Sequence, residues 1–302
     1  MKRAVVLGAL IGIAALSLGV AAQRGGPPTD NTPKVVQVDK VKDNLYVLKG
    51  GGGNTAVFIT ANGVVLVDTK LPGWGQPLLD KIKTITPKPI TMIVNTHTHG
   101  DHVSGQLEFP GTIEVVAQEN TKTNMQKLDD FKKSENLKWL PKRTFKDRVT
   151  LLSGNDRIDL HYFGRGHTNG DAWVVFPALR TLHAGDIFAG KQVPLVDFGN
   201  GGSGRDYPQT LSKAASELKD VDIIVTGHSD RTMTMADLKE YAAFNRDFLS
   251  WVESAMTAGK SAEQAANEYK VPDQYKGYNA NLPPFFGGMR GYIQGIYDEL
   301  KR

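Results

Sequence analysis

"NTHTHGDHVSG" (residues 95–105) places His97, His99, Asp101 and His102 within six consecutive positions of a chain that holds only seven histidines. Packed together without a cation, three imidazoles and a carboxylate lose solvation and the rings repel one another, and an exposed loop has no use for such a set. A metal ion resolves both difficulties. His97 and His99 are two apart, which puts both rings on one side of an extended segment and within reach of a single ion. Gly100 then permits a sharp turn, so that Asp101 and His102 open a helix facing a second point nearby.

The rest of the chain supplies further ligands in a consistent place. Short strand-like runs precede each of them: "TMIVNT" leads into His97, "DLHYFGRG" into His167, "TLHAG" into Asp186 and "DIIVTG" into His228. Ligands of α/β sheets gather beyond the carboxyl ends of strands, so these separate stretches are expected to converge at one edge. Zinc takes four ligands in a tetrahedral arrangement, and a catalytic ion keeps one position for water. His97, His99 and His167 would hold one ion with that position open. Asp101, His102 and His228 would hold a second, with Asp186 bridging; two-metal hydrolytic sites set their ions about 3.5–4 Å apart, a span one carboxylate crosses. His161, inside an alternating strand, and His183, in "RTLHAGD", do not fit this pattern and are read as structural.

Composition narrows the chemistry. There is no cysteine, which removes disulfides, thiol nucleophiles and thiolate ligands and leaves nitrogen and oxygen to hold any metal. Residues 1–22, "MKRAVVLGALIGIAALSLGVAA", have a basic start, an apolar core and small residues Val20 and Ala22 at the exit, the pattern of a secretory signal peptide. A membrane anchor is the competing reading of that stretch; the Ala/Gly-rich exit favours cleavage, hence a secreted or periplasmic protein with no stable membrane anchor. Residues 23–34 read as a flexible lead-in. Cleavage removes two cations and no acid, so the formal charge falls from +4 to +2. Despite a pI near 9.0, the scattered Lys and Arg make no nucleic-acid surface, and a small-molecule partner is expected.

Element order points to a two-sheet protein. "VVQVDKV", "LYVLKG", "TAVFIT" and "GVVLVDT" form a run of short strands, "QPLLDKIKTI" an amphipathic helix, "PITMIVNT" a buried strand, and "TIEVVAQ" another. The polar stretch "ENTKTNMQKLDDFKKSENL" is expected as an exposed helix. The second half repeats the order with "DRIDLHYFG", "DAWVVFP", "RTLHAG", the helical "YPQTLSKAASELKD" and "VDIIVTG". Three covering helices follow, one capped by Thr234 with Asp237 and ended by Gly259, one opened by the capping box of Ser261 and Gln264, and a last one from about Met289.

"THTHGDH" (96–102) together with "GHT" at His167, "GD" at Asp186, "GHS" at His228 and "GVVLVDT" ending near Asp68 resembles the metallo-β-lactamase superfamily, across nearly all of residues 35–302 and in the right order. The resemblance implies an α/β (α+β) fold, an αββα four-layer sandwich of two mixed β-sheets face to face with helices outside, as a single domain over 35–302. It implies zinc, two ions per chain, at His97, His99, His167, Asp101, His102, Asp186 and His228, and a role for Asp68 beside the ligands rather than on an ion. The best-known secreted β-lactamases of the family carry a cysteine among the second ion's ligands. Its absence here is more similar to the family's thioesterases and lactonases, and to a cysteine-free lactamase subclass that does not use the bridging aspartate.

The expected activity is zinc-dependent hydrolysis of a carbonyl-containing small molecule (a β-lactam, lactone or thioester) by hydroxide made available near neutral pH at the dinuclear site, with Asp101 orienting the nucleophile and returning a proton. The glycine-rich stretches "GGGGN" (50–54) and 191–208 are candidate loops near the site, and Lys191 or Arg205 a candidate contact for a substrate carboxylate. A two-metal phosphodiesterase, an iron-dependent sulfur oxygenase of the same fold and a non-catalytic metal-binding module are the alternatives.

Overall fold

The computed structural model describes residues 33–284 and 287–302, and Lys34–Arg302 form one compact unit. The expected signal peptide and nearly all of the lead-in lie outside the described residues. The first sheet has seven strands in sequence order: β1 (Gln37–Lys42), β2 (Leu45–Lys49), β3 (Thr55–Ile59), β4 (Val64–Val67), β5 (Ile90–Val94), β6 (Glu114–Gln118) and β7 (Arg143–Phe145). Its first four strands pair antiparallel and β4 to β7 pair parallel. The second sheet contains β8 (Arg148–Leu151), β9 (Ile158–His161), β10 (Trp173–Phe176), β11 (Thr181–His183) and β12 (Ile223–Val225), antiparallel except for the parallel β11–β12 pair.

The two-residue period of these strands builds three layers of apolar contact. On β4, Val65 and Val67 face the second sheet, where they meet a core that includes Leu160, Val174 and Phe176. Their neighbours Val64 and Leu66 face outward onto Leu78 and Ile82 of helix α1 (Gly75–Ile85). On the far side, Trp173 and Val175 of β10 pack outward into a core shared by four helices. With α2 (Gly100–Val103), α3 (Glu119–Met125) and α4 (Asp129–Lys132) preceding them, these are α5 (Tyr207–Glu217), α6 (Met235–Thr257), α7 (Ala262–Glu268) and α8 (Gly288–Leu300). The result is helix, sheet, sheet, helix. Alternating burial of this kind fixes strand register, because a one-residue slip would turn each apolar set to the wrong side.

The helix boundaries follow local chemistry. Thr234 and Asp237 form a reciprocal capping box at α6, and Ser261 and Gln264 do the same at α7. The stretch expected as one exposed helix after β6 is instead α3, α4 and a 3₁₀ turn over Ser134–Trp139. Two of its polar residues face inward, Thr121 Oγ1 donating to Gly170 O at 2.7 Å and Asn124 Nδ2 to Asn169 Oδ1 at 2.8 Å, while Met125 and Phe131 are buried and most of its charged residues stay exposed. Strands β7 and β8, absent from the sequence expectation, are short and charged, and between them the chain crosses from one sheet to the other.

Candidate metal centre

Three of the expected ligands sit at a constant distance past strand ends. His97, Asp186 and His228 each follow the last residue of a strand (Val94, His183 and Val225) by three positions. In the parallel β11–β12 pair, His183 lies opposite Val225, so Asp186 and His228 leave the same edge side by side. Gly227 makes the approach possible: a Cβ there would lie 1.7 Å from Asp186 Oδ1. After β5 the chain turns sharply into α2, with the His102 and Val103 amides donating back to His99 O at 2.9 and 3.1 Å. This turn brings the His102 ring within 4.2 Å, centroid to centroid, of His97.

Ligand atoms around a tetrahedral zinc with bonds of about 2.0–2.1 Å lie about 3.3 Å apart. His167 Nε2 is 3.0 Å from His99 Nδ1, and Asp186 Oδ2 is 3.7 Å from His167 Nε2 and 3.9 Å from His97 Nε2. In the adjoining group His228 Nε2 is 3.3 Å from His102 Nε2 and 3.2 Å from Asp101 Oδ2. Asp186 borders this group too, with Oδ1 3.3 Å from His102 Nε2 and Oδ2 3.2 Å from His228 Nε2. The set His97, His99, His167 and Asp186 and the set Asp101, His102 and His228 could each hold a metal ion. His97 Nε2 is buried with no hydrogen-bond partner among the described residues, a cost that a cation at this point would remove.

Four histidines have their other ring nitrogen tied to the protein. His97 Nδ1 meets Thr96 Oγ1 at 2.9 Å, His99 Nε2 meets Asp197 Oδ2 at 2.8 Å, His102 Nδ1 meets Asp68 Oδ2 at 2.7 Å, and His167 Nδ1 meets Leu195 O at 2.7 Å. Each acceptor selects the tautomer whose free lone pair points into the common space. Asp68 can also border an ion with His97 and His102. Its carboxylate is already engaged, accepting from Thr96 N at 2.8 Å and Thr96 Oγ1 at 2.7 Å as well as from His102. It is fully buried at the end of β4 with φ 64°, a conformation held by its amide bond to Val94 O.

Charge separates the two groups. Burial and the neighbouring imidazoles hold His97 well below the usual histidine range, and burial with the adjacent His99 lowers His167 to about 4. Burial works against the charged form of His102 as well, but the Asp186 and Asp68 carboxylates lift it well above its ordinary value. At His228 the Asp101 and Asp186 carboxylates outweigh burial and raise it to about 9. Asp186 is pushed up by burial and pulled well below the carboxylate range by His102, His228 and His97.

A cleft of about 450 Å³ opens over the cluster. Its polar lining is His99, Asp101, His167, Asp186, His228 and the Gln192 amide, and its apolar wall is Ala189, Leu195, Leu282 and Pro283. Thus the structure brings all seven expected ligands together and sets Asp68 beside them. Lys191 pairs with Glu240 at 3.0 Å and lines an adjoining depression that shares His228 with the cleft. Arg205 is engaged by Asp206 at 3.1 Å and the Glu299 carbonyl, away from the cleft wall. His161 stacks on Phe163 outside the cluster. Asp197, which orients His99, was not singled out from the sequence; it lies in the glycine-rich loop after Asp186, where no spacing marks it.

A model of the metallo-beta-lactamase superfamily matches residues 48–228, more than half of the chain and every one of the clustered residues. The chain belongs to the metallo-beta-lactamase superfamily. As in that family generally, it is a metal-dependent hydrolase. It is 27% identical over 214 residues to a type 2 metallo-beta-lactamase of Elizabethkingia meningoseptica, covering 66% of this chain and 80% of the relative. It is also 22% identical over 283 residues to a linear primary-alkylsulfatase of a Pseudomonas strain, covering 78% of this chain but 53% of that longer protein. Among solved structures, DIM-1 metallo-beta-lactamase aligns with a TM-score of 0.57 at 22% identity, covering 70% of this chain and 97% of its own. The sec-alkylsulfatase Pisa1 of Pseudomonas sp. aligns with a TM-score of 0.68 at 16% identity, covering 88% of this chain and 50% of its own. These structural likenesses carry the fold.

Proposed function

We propose that this superfamily member is a secreted or periplasmic zinc hydrolase that binds two ions and opens a carbonyl-containing small molecule, a β-lactam, lactone or thioester. The observation that carries this reading is that four histidines each spend one nitrogen on a protein acceptor and place the other in a group of potential ligands that includes a carboxylate. His97, His99 and His167 would hold one ion, Asp101, His102 and His228 the other, and Asp186 both. When bound, such cations polarise a carbonyl and lower the pKa of a coordinated water to about 7.

The residues of the chain define the rest. Asp101 faces the cleft beside His228, whose imidazole helps to keep its carboxylate ionised against the effect of burial. In that state it accepts a proton from the attacking water and returns it to the leaving group, the task of a positioned general base and acid. The wall of Ala189, Leu195, Leu282 and Pro283 receives an apolar part of the substrate. Among the described residues no Lys or Arg lines the cleft, so a neutral lactone or thioester fits it better than a carboxylate-bearing lactam.

One observation favours a second reading, sulfate-ester hydrolysis. The alkylsulfatase relative aligns over 78% of this chain, against 66% for the lactamase, and so shares more of its length. Turnover of metal-loaded protein on a chromogenic cephalosporin, a lactone, a thioester, a phosphodiester and an alkyl sulfate, with and without chelator, tests both. Chelator-sensitive opening of the lactone or thioester is expected; cleavage confined to the alkyl sulfate selects the second reading, and no turnover of any of them sinks both.

A further inference from the structure

His228 differs from the other four clustered histidines. Every polar side-chain contact it makes among the described residues runs through Nε2, to His102, Asp101 and Asp186, and its side chain is 50% exposed. Among the described residues no group bonds its other nitrogen to set the ring. Its place must therefore come from the backbone on either side, residues 226–229.

That backbone is gripped by Asn54, the last residue of "GGGGN". The Asn54 side chain is buried, and its Nδ2 donates to Thr226 O and to Ser229 O, both at 2.9 Å. Its main-chain amide donates to Gly227 O at 2.6 Å. One amide group thus clasps the turn on both sides of His228, and no other side chain of this size offers two N–H groups on so short a stem. The clasp reaches the remaining ligands of the same group. Gly53 N donates to Asp101 O at 3.0 Å, and Asn54 O lies 3.2 Å from His183 Nε2. His183 Nδ1 accepts the Gly185 amide at 3.1 Å, which fixes the tautomer that donates to Asn54 and ties Asn54 to the turn bearing Asp186. Lys70 Nζ holds the strap from the other side, at 2.9 Å from Gly53 O. Gly53 has no room for a side chain, since a Cβ would lie 2.2 Å from His102 Cε1.

We infer that Asn54 is the positioning residue of the Asp101, His102 and His228 group, and that the strap 50–54 is a structural part of that group rather than a mobile cover over the cleft. The inference rests on the two-ion reading. Removing the clasp leaves His97, His99 and His167 untouched, because their fixed nitrogens bond to Thr96, Asp197 and Leu195. The two groups should therefore separate in their response.

The test is a titration of metal-free protein with cobalt(II), followed by calorimetry and by the visible spectrum. Wild type is expected to take up two ions. Asn54→Ala should bind the first with wild-type affinity and an unchanged spectrum at one equivalent. The second should weaken about 10- to 100-fold, the range for loss of a group that orients metal ligands. Asn54→Ser, which keeps a small polar group, serves if the alanine variant does not fold and should show the same selective loss. Asn44→Ala removes a comparable amide-to-carbonyl bond, Asn44 Nδ2 to Ile59 O at 2.9 Å in the same sheet, and should lower stability without changing either affinity. Equal weakening of both ions in the Asn54 variants, or of neither, overturns the inference alone. A wild-type protein that takes up a single ion overturns the two-ion reading and the inference with it.

Discussion

Asp197 reaches His99 across 98 residues of chain, with Oδ2 2.8 Å from Nε2. Asn200 holds the carboxylate in turn, donating from Nδ2 at 2.7 Å. Bonds from His99 and Asn200 keep Asp197 well below the carboxylate range although burial opposes the charge. Asp197→Ala frees the His99 ring and is expected to weaken one ion, the one held with His97 and His167, by about 10- to 100-fold. Metal titration reads this directly; wild-type affinity for both ions would contradict it.

The two ligand groups should respond differently to acid. A histidine must give up its proton to bind a metal. His97 and His167 already favour the neutral form, His167 with a pKa lowered to about 4, whereas carboxylates raise His102 well above its usual value and His228 to about 9. Protons thus compete for the second group throughout the neutral range. Dialysis of zinc-loaded protein at stepped pH, from about 8 down to about 5.5, should release an ion first from Asp101, His102 and His228. Loss of both ions in one step would show that the groups do not differ.

Lys70 gives a second pH dependence, on the alkaline side. It is fully buried, and its Nζ donates to Leu48 O at 2.8 Å and Gly53 O at 2.9 Å, the two bonds a neutral amine can supply. Burial lowers it to about 7, although Asp68 pulls the other way. An unfolded lysine titrates near 10.4, so between about 7 and 10.4 the unfolded chain holds one more proton and stability from this group rises with pH, by up to about 1.4 kcal/mol per unit. Below about 7 both states are protonated and the contribution is flat. Urea unfolding of wild type and Lys70→Met over this range should show their difference growing with pH; a constant difference would place a charged amine in the fold.

The apolar wall can be probed without touching the ligands. Leu282→Asp puts a charge on the cleft wall proposed to receive a neutral part of the substrate, and should lower kcat/KM about 5- to 10-fold on apolar lactones, equivalent to about 1 kcal/mol of lost burial. Metal content should stay at the wild-type value. An unchanged kcat/KM would remove Leu282 from the substrate path.

The metal cluster was legible because its chemistry is local: four ligand-type residues in one turn, and three more just past apolar runs that could only be strand ends. The sandwich was legible for a similar reason, since β4 alternates apolar faces and β10 is apolar throughout. Asp197 and Asn54 were not, because their role is created by contacts that cross 98 and more than 170 residues and leave no trace in spacing. The segment after β6 misled because polar side chains ordinarily mark solvent, whereas Thr121 and Asn124 bond to a neighbouring loop.

Leu282 and Pro283 come from chain well past residue 228, where the superfamily match stops. On the proposed reading, Ala189 and Leu195 of the receiving wall come from the stretch that also supplies the ionic ligands, and Leu282 and Pro283 from a stretch that supplies none of them. A tail transplanted between relatives should then carry part of its substrate preference with it while the ionic ligands stay as they are.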